Sequence, residues 1–151
     1  MQRIKRIMAD KKFEFLEHTA DMYIVGHGKT LEEAFANTAV GLGFMIISSD
    51  NVKPKIKEEI KIVSEDKESL LFDFLSKLLY YQDAESLIFH KVKVECIKKL
   101  DDHWHLVAKA WGEKFDPEKH EEGSHVKAIT YHNMEIKEEK NKSIVKVLVD
   151  I

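Results

Sequence analysis

Apolar residues recur along this chain with two periods. In residues 30–47 (TLEEAFANTAVGLGFMII), Leu31, Ala34, Phe35, Ala39, Leu42 and Ile46 fall at helical spacing. Thr30 followed by Glu33 forms a capping-box signature at the start. Gly41 and Gly43 lower the helical propensity there and fit close packing on a sheet. In residues 66–83 (DKESLLFDFLSKLLYYQD), Asp66 is the N-cap and Leu71, Phe74, Leu75 and Leu78 form the buried stripe.

Elsewhere the period is two. Residues 12–18 (KFEFLEH) and 22–28 (MYIVGHG) read as strands joined at Thr19-Ala20-Asp21. In residues 55–63, Ile56, Ile60 and Ile62 share a face. Residues 88–99 alternate through Val92, Val94 and Cys96, and residues 103–111 through Trp104, Leu106, Ala108 and Ala110. Asp101-Asp102 is the turn between them. Residues 126–139 and 143–151 form a final pair, turning near Asn141. The polar stretch 112–125 (GEKFDPEKHEEGSH) is a long loop of the kind that often carries function. Strands and helices do not alternate regularly, which argues against a doubly wound parallel sheet. The pattern predicts a single-domain α+β sandwich, with two helices covering mostly antiparallel sheet.

Composition narrows the function. The chain has 151 residues, 44% apolar and 34% charged, a globular balance for one domain. It carries 24 Lys+Arg against 27 Asp+Glu, a net charge of −3. That lacks the general basic excess of nucleic-acid binders and leaves RNA contact to a local patch. The single cysteine, Cys96, allows no intrachain disulfide and fits a reducing compartment. With no signal-peptide pattern and no membrane-length apolar run, a cytoplasmic protein is expected, with neither membrane nor DNA as partner.

Several groups invite a chemical reading. His103 and His105 share a strand face, and His120, His125 and His132 lie in or after the loop. They match no known zinc pattern, and surface and loop histidines are the simpler reading. Cys96 reads as a small buried hydrophobe. GHGKT (26–30) lacks the glycine spacing of a phosphate loop and reads as a strand-to-helix turn capped by Thr30. The acids say more. Asp21 sits between two apolar strands, and Asp150 faces away from the Val145, Val147 and Val149 row. Ile151 adds a free α-carboxylate as the final residue. Adjacent carboxylates repel unless protonated, solvated or bridged by a cation. With Asp21 nearby they would form an all-oxygen site for Ca²⁺, Mg²⁺ or Mn²⁺. A solvated strand end with a turn aspartate is the plainer alternative. Lys127 follows the polar loop, where it would pair with carboxylates or meet a phosphate, or else be an ordinary exposed strand lysine.

These segments together resemble the archease family. The markers are HTAD (18–21), TLEEAFANTAVGL in the first helix, ESLLFDFLSKLLYYQD in the second, GEKFDPEKH leading to HVKAITYHNMEI, and the final VDI. The resemblance spans residues 13–151 and leaves 1–12 as an N-terminal extension. It implies a small protein cofactor, not an enzyme, that serves an RtcB-type RNA ligase in tRNA splicing. The cofactor would promote guanylylation of the ligase and its multiple turnover, meeting tRNA only through the ligase. The family's metal ligands map onto Asp21, Asp150 and Ile151, and its essential lysine onto Lys127. Other readings are a general chaperone, an RNA-modification accessory protein, or a metal-dependent hydrolase of nucleotides or RNA.

Overall fold

Both periods in the sequence become elements because each buries its apolar positions on one side. The computed structural model describes residues 4–5, 12–18 and 20–151. In chain order the elements are β1 (Ile4–Lys5), β2 (Phe13–His18), β3 (Asp21–Gly28), α1 (Leu31–Ile46), β4 (Ile56–Ser64), α2 (Lys67–Glu85), β5 (Leu87–Leu100), β6 (His103–Lys114), β7 (Ala128–Ile129), β8 (Glu135–Glu139) and β9 (Lys142–Asp150). Every strand pairing among them is antiparallel. The larger sheet runs β1-β2-β3-β9-β7, with β8 also on β9, and the smaller runs β4-β6-β5. Of the extension read at residues 1–12, Ile4 and Lys5 pair with Leu16 and Phe15. Residues 1–3 and 6–11 lie outside the described residues.

Helix α1 packs on β3 and β9 of the larger sheet and on β5 of the smaller one, and so joins the two. Its glycines make this possible. A Cβ on Gly43 would stand 1.9 Å from the Phe89 carbonyl oxygen, and one on Gly41 would stand 2.9 Å from Ile24 Cγ2. Helix α2 covers β4 and β5. Phe13, Ile24, Phe35, Leu42, Phe74, Leu75, Leu106 and Val145 are fully buried in the shared core.

Both helix starts are capped, by different chemistry. Asp66 accepts from Ser69 N–H while the Ser69 hydroxyl meets the Asp66 N–H, a complete capping box. At α1, Thr30 Oγ1 accepts from Glu33 N–H at 3.1 Å, as expected, but the Glu33 carboxylate accepts from Lys29 N–H rather than from Thr30. These two side chains fill the α1 N-terminus, so GHGKT is a capped strand-to-helix turn.

Of the stretch 112–125 read as a long loop, residues 112–114 are the end of β6, paired with β5. Three further details depart from the sequence reading. First, β5 bulges between Phe89 and Lys91 and between Val94 and Cys96. Past the second bulge Ile97, not Cys96, pairs with inward-facing Leu106 and packs on the core, so Cys96 is a half-buried residue opposite Val107 on the outer face. Second, residues 126–139 are not one strand. They break at Thr130–Met134, where Met134 N–H returns to the Tyr131 carbonyl and Asn133 takes φ 55°. Third, His120 is not a surface histidine; it is 5% exposed. The Asp101-Asp102 turn is as expected. Both residues have positive φ, the backbone of a two-residue hairpin whose twist matches its strands.

Candidate functional site

Strand β9 is the axis of the candidate site. Along one edge it pairs with β3 from Ser143 to Asp150, and along the other with β8 and then β7. The last cross-strand row is Asp21, Asp150 and Ala128. Residues directly opposite one another share a face, with Cβ atoms about 4.5–5.5 Å apart. The two aspartates read as candidate ligands, 129 positions apart in the chain, are therefore immediate neighbours. Both are partly exposed. Among the described residues neither side chain has a hydrogen bond or ion pair. Like charges set opposite each other destabilise a sheet. A divalent cation would convert that repulsion into shared coordination, so the donor set fits a hard cation.

Lys127 arrives at the same corner through its backbone, its N–H donating to the Asp150 carbonyl at 2.7 Å. Its side chain is exposed. Pleat alternation gives Lys127 and Ile151 the phase opposite to the aspartate row. Lys127 thus stands beside the carboxylates rather than between them. The HTAD motif forms the β2–β3 hairpin, with His18 paired to Asp21; Thr19 lies outside the described residues.

The segment after β7 braces this corner, which the sequence did not reveal. Thr130 donates from both N–H (3.1 Å) and hydroxyl (2.8 Å) to the Leu148 carbonyl. Asn133 Nδ2 donates to the Tyr23 hydroxyl at 2.9 Å, two residues from Asp21 on the same face. Tyr131 stacks on Phe72 of α2 at 4.3 Å, nearly parallel. Burial, then the nearby Asp73 and Asp66 carboxylates, raise its phenol above the ordinary value. On the same face Lys146 Nζ lies 4.3 Å from the Tyr23 ring centre and 3.5 Å from Glu135.

The described histidines gather into no metal centre. Among the described residues no three His, Cys, Asp or Glu side chains gather to hold an ion. The aspartate corner has two such side chains, and its third expected donor is a main-chain carboxylate. His120 belongs instead to a buried hub inside the polar loop. Its Nδ1 accepts from Asp116 N–H, which leaves Nε2–H to donate to Glu113 at 2.9 Å. Glu113, 6% exposed, also accepts from Lys53 N–H and from Lys119 Nζ. Burial opposes its charge, but the bonds from Lys119, Lys53 and His120 prevail and bring its carboxyl down to about 2. The hub ties loop 115–121 to the end of the smaller sheet. No spacing rule marks Glu113, whose place in the alternation is outward. His90 stacks on Phe44 at 3.8 Å, and burial lowers its imidazole below the ordinary value.

Known proteins are similar to this chain in sequence and in fold. The profile of the Archease protein family matches residues 13–151. The chain is 48% identical over 126 residues to the protein archease of Pyrococcus furiosus, covering 83% of this chain and 88% of that protein. It is 45% identical over 141 residues to that of Sulfurisphaera tokodaii, covering 93% and 99%. In three dimensions it is similar to the solution structure of Methanobacterium thermoautotrophicum protein 1598 (TM-score 0.78, 35% identity, 93% of this chain and 99% of that one). A crystal structure from Thermotoga maritima, described as an archease and possible chaperone, shares the fold (TM-score 0.55, 20% identity, 89% and 94%).

Proposed function

The chain belongs to the archease family, and from that premise we propose that it is an accessory protein of an RtcB-type RNA ligase in tRNA splicing. It is not itself the catalyst. It promotes guanylylation of the ligase and its multiple turnover, using a divalent cation held at the Asp21–Asp150 corner. The observation that carries the reading is the cross-strand row of Asp21 and Asp150, with Lys127 hydrogen-bonded beside it.

Asp21 and Asp150 supply the side-chain carboxylates, and the Ile151 α-carboxylate is the third ligand. Ca²⁺, Mg²⁺ and Mn²⁺ all suit such oxygens. A site with so few protein ligands holds its ion weakly, which suits transient bridging to a ligase site rather than permanent structure. Lys127 adds a point charge for a phosphate or for a ligase carboxylate. The braces at Thr130 and Asn133 hold β7 and the following turn against β9 and β3, so the corner meets a partner with little ordering cost. A general chaperone draws less support. The large exposed apolar residues among those described are Val63 of β4, Tyr80 of α2, Leu100 of β5 and Tyr131 of the turn after β7, four residues rather than a broad patch.

The test is ligase guanylylation followed with and without this protein. Asp21→Ala, Asp150→Ala and Lys127→Ala should each remove most of the stimulation while circular dichroism stays unchanged. Extending the chain past Ile151 should do the same without altering any residue. Full stimulation by all three substituted proteins would overturn the proposal.

A further inference from the structure

The smaller sheet turns one face to α1 and α2 and leaves the other to solvent, and the second face is not an ordinary mixture of charges. Apart from Glu113, which the 115–121 loop buries, its outward residues are Lys57, Glu59, Lys61 and Val63 on β4, His103, His105, Val107, Lys109 and Trp111 on β6, and Lys91, Lys93, Cys96, Lys98 and Leu100 on β5. Six lysines stand against Glu59 and the bulge residue Glu95, a surplus of four positive charges on a chain whose net charge is −3. The positive charge is segregated onto this face.

The register gives the face an internal order. Trp111 lies between Lys57 and Lys91 in one cross-strand row, with Lys91 Nζ 4.7 Å from the indole centre. In the next row Lys109 lies between Glu59 and Lys93. Lys93 and Lys109 are like charges directly opposite one another, an arrangement that costs stability. Glu59 across from Lys109 and the Lys109–Glu95 pair at 3.4 Å offset part of it. A half-buried indole flanked by ammonium groups matches the two needs of an unpaired strand: a surface on which a base can stack, and cations for the phosphates beside it.

We propose that this outer face of β4-β6-β5 is a docking surface for single-stranded RNA, with Trp111 as the stacking anchor and Lys57, Lys91, Lys93 and Lys109 along the phosphates. The choice of RNA over other polyanions rests on the reading of the protein as an RNA-ligase accessory; the face itself is fitted to a flexible phosphate chain with exposed bases. A duplex hides its base faces, and an anionic membrane offers none. Direct contact with the ligase's substrate then replaces the expectation that RNA is met only through the ligase.

The experiment is fluorescence anisotropy of a labelled twelve-nucleotide oligouridine titrated with the full chain alone, at several salt concentrations. Trp111→Ala should weaken binding by about fivefold or more, and Trp111→Phe should recover part of the loss by restoring a ring. Lys57→Ala with Lys93→Ala should weaken binding and flatten the dependence of log K on log salt by about 0.7 for each phosphate contact removed. Lys140→Ala, at an exposed turn away from this face, should bind as the unaltered chain does. Circular dichroism checks that each variant is folded. Equal binding by all variants, or no binding at low salt, overturns the proposal. So does tighter capture of the matching DNA strand, of duplex RNA or of phosphatidylserine vesicles. None of these variants should change RNA-free guanylylation of the ligase. Lost oligouridine binding with intact guanylylation therefore separates this face from the Asp21–Asp150 corner, whereas full guanylylation with Asp21→Ala, Asp150→Ala and Lys127→Ala, oligouridine binding being unchanged, would count against the corner alone.

Discussion

Replacing Asp21 by Asn should stabilise the protein without metal and leave it behind the unaltered protein with metal. The two carboxylates share a cross-strand row, so about 5 Å separates their Cβ atoms. Both are open to water, and at that spacing two unit charges in a water-like dielectric repel by about 0.8 kcal/mol. Asn keeps the shape and removes one charge. The variant should therefore gain about 0.5–1 kcal/mol in chelator, a rise in Tm of about 1–4 °C for a chain of this size. A cation bound only by the folded state stabilises by RT ln(1 + [M]/Kd), about 1.4 kcal/mol at tenfold over Kd. The unaltered protein should rise by roughly 3–6 °C under those conditions, while Asp21→Asn stays nearly still. The curves cross. Differential scanning fluorimetry in EDTA and across a Mg²⁺ or Ca²⁺ series is sufficient to see it. Parallel rises in both proteins would refute shared coordination, and a variant less stable in EDTA would refute the repulsion.

Other outcomes follow from the same physical reasoning. The carboxyl of Glu113 is lowered from 4.5 to about 2 in the folded protein, so its contribution is present above pH 4.5 and fades as pH falls toward 2. After allowance for the solvated lysines, Glu113→Gln should cost about 1–2 kcal/mol at pH 7. Urea unfolding at both pH values should show that deficit shrinking at pH 2.5; an equal deficit would mean the carboxylate charge is not what matters. Gly43→Ala should lower stability by about 2 kcal/mol despite alanine's better helix propensity, since its Cβ would meet the Phe89 carbonyl oxygen. A higher Tm for that variant would contradict the close approach of α1 to β5.

Much of the fold is legible in local pattern. Helical spacing, the caps at Thr30 and Asp66, period-two strands and the Asp101-Asp102 turn each depend on residues a few positions apart, and that range is what sequence periodicity encodes. The individual candidates Asp21, Asp150, Ile151 and Lys127 are legible too, as acids at strand ends and a lysine after a loop, and the family markers named them as a set. Their adjacency is not. It requires β3 and β9, at opposite ends of the chain, to pair in a register that puts Asp21 against Asp150, and one residue of slip would move one aspartate to the Val149 face. The bulge at Glu95 that turns Cys96 outward, the burial of Glu113 under Lys119 and His120, and the row of Lys57, Trp111 and Lys91 have the same origin. Each is a relation between segments brought together by the packing of α1 across two sheets. The sequence alone determined which residues would form strands, helices and candidate ligands. The tertiary structure decided which of them meet, because register and bulge position follow from core packing between distant elements.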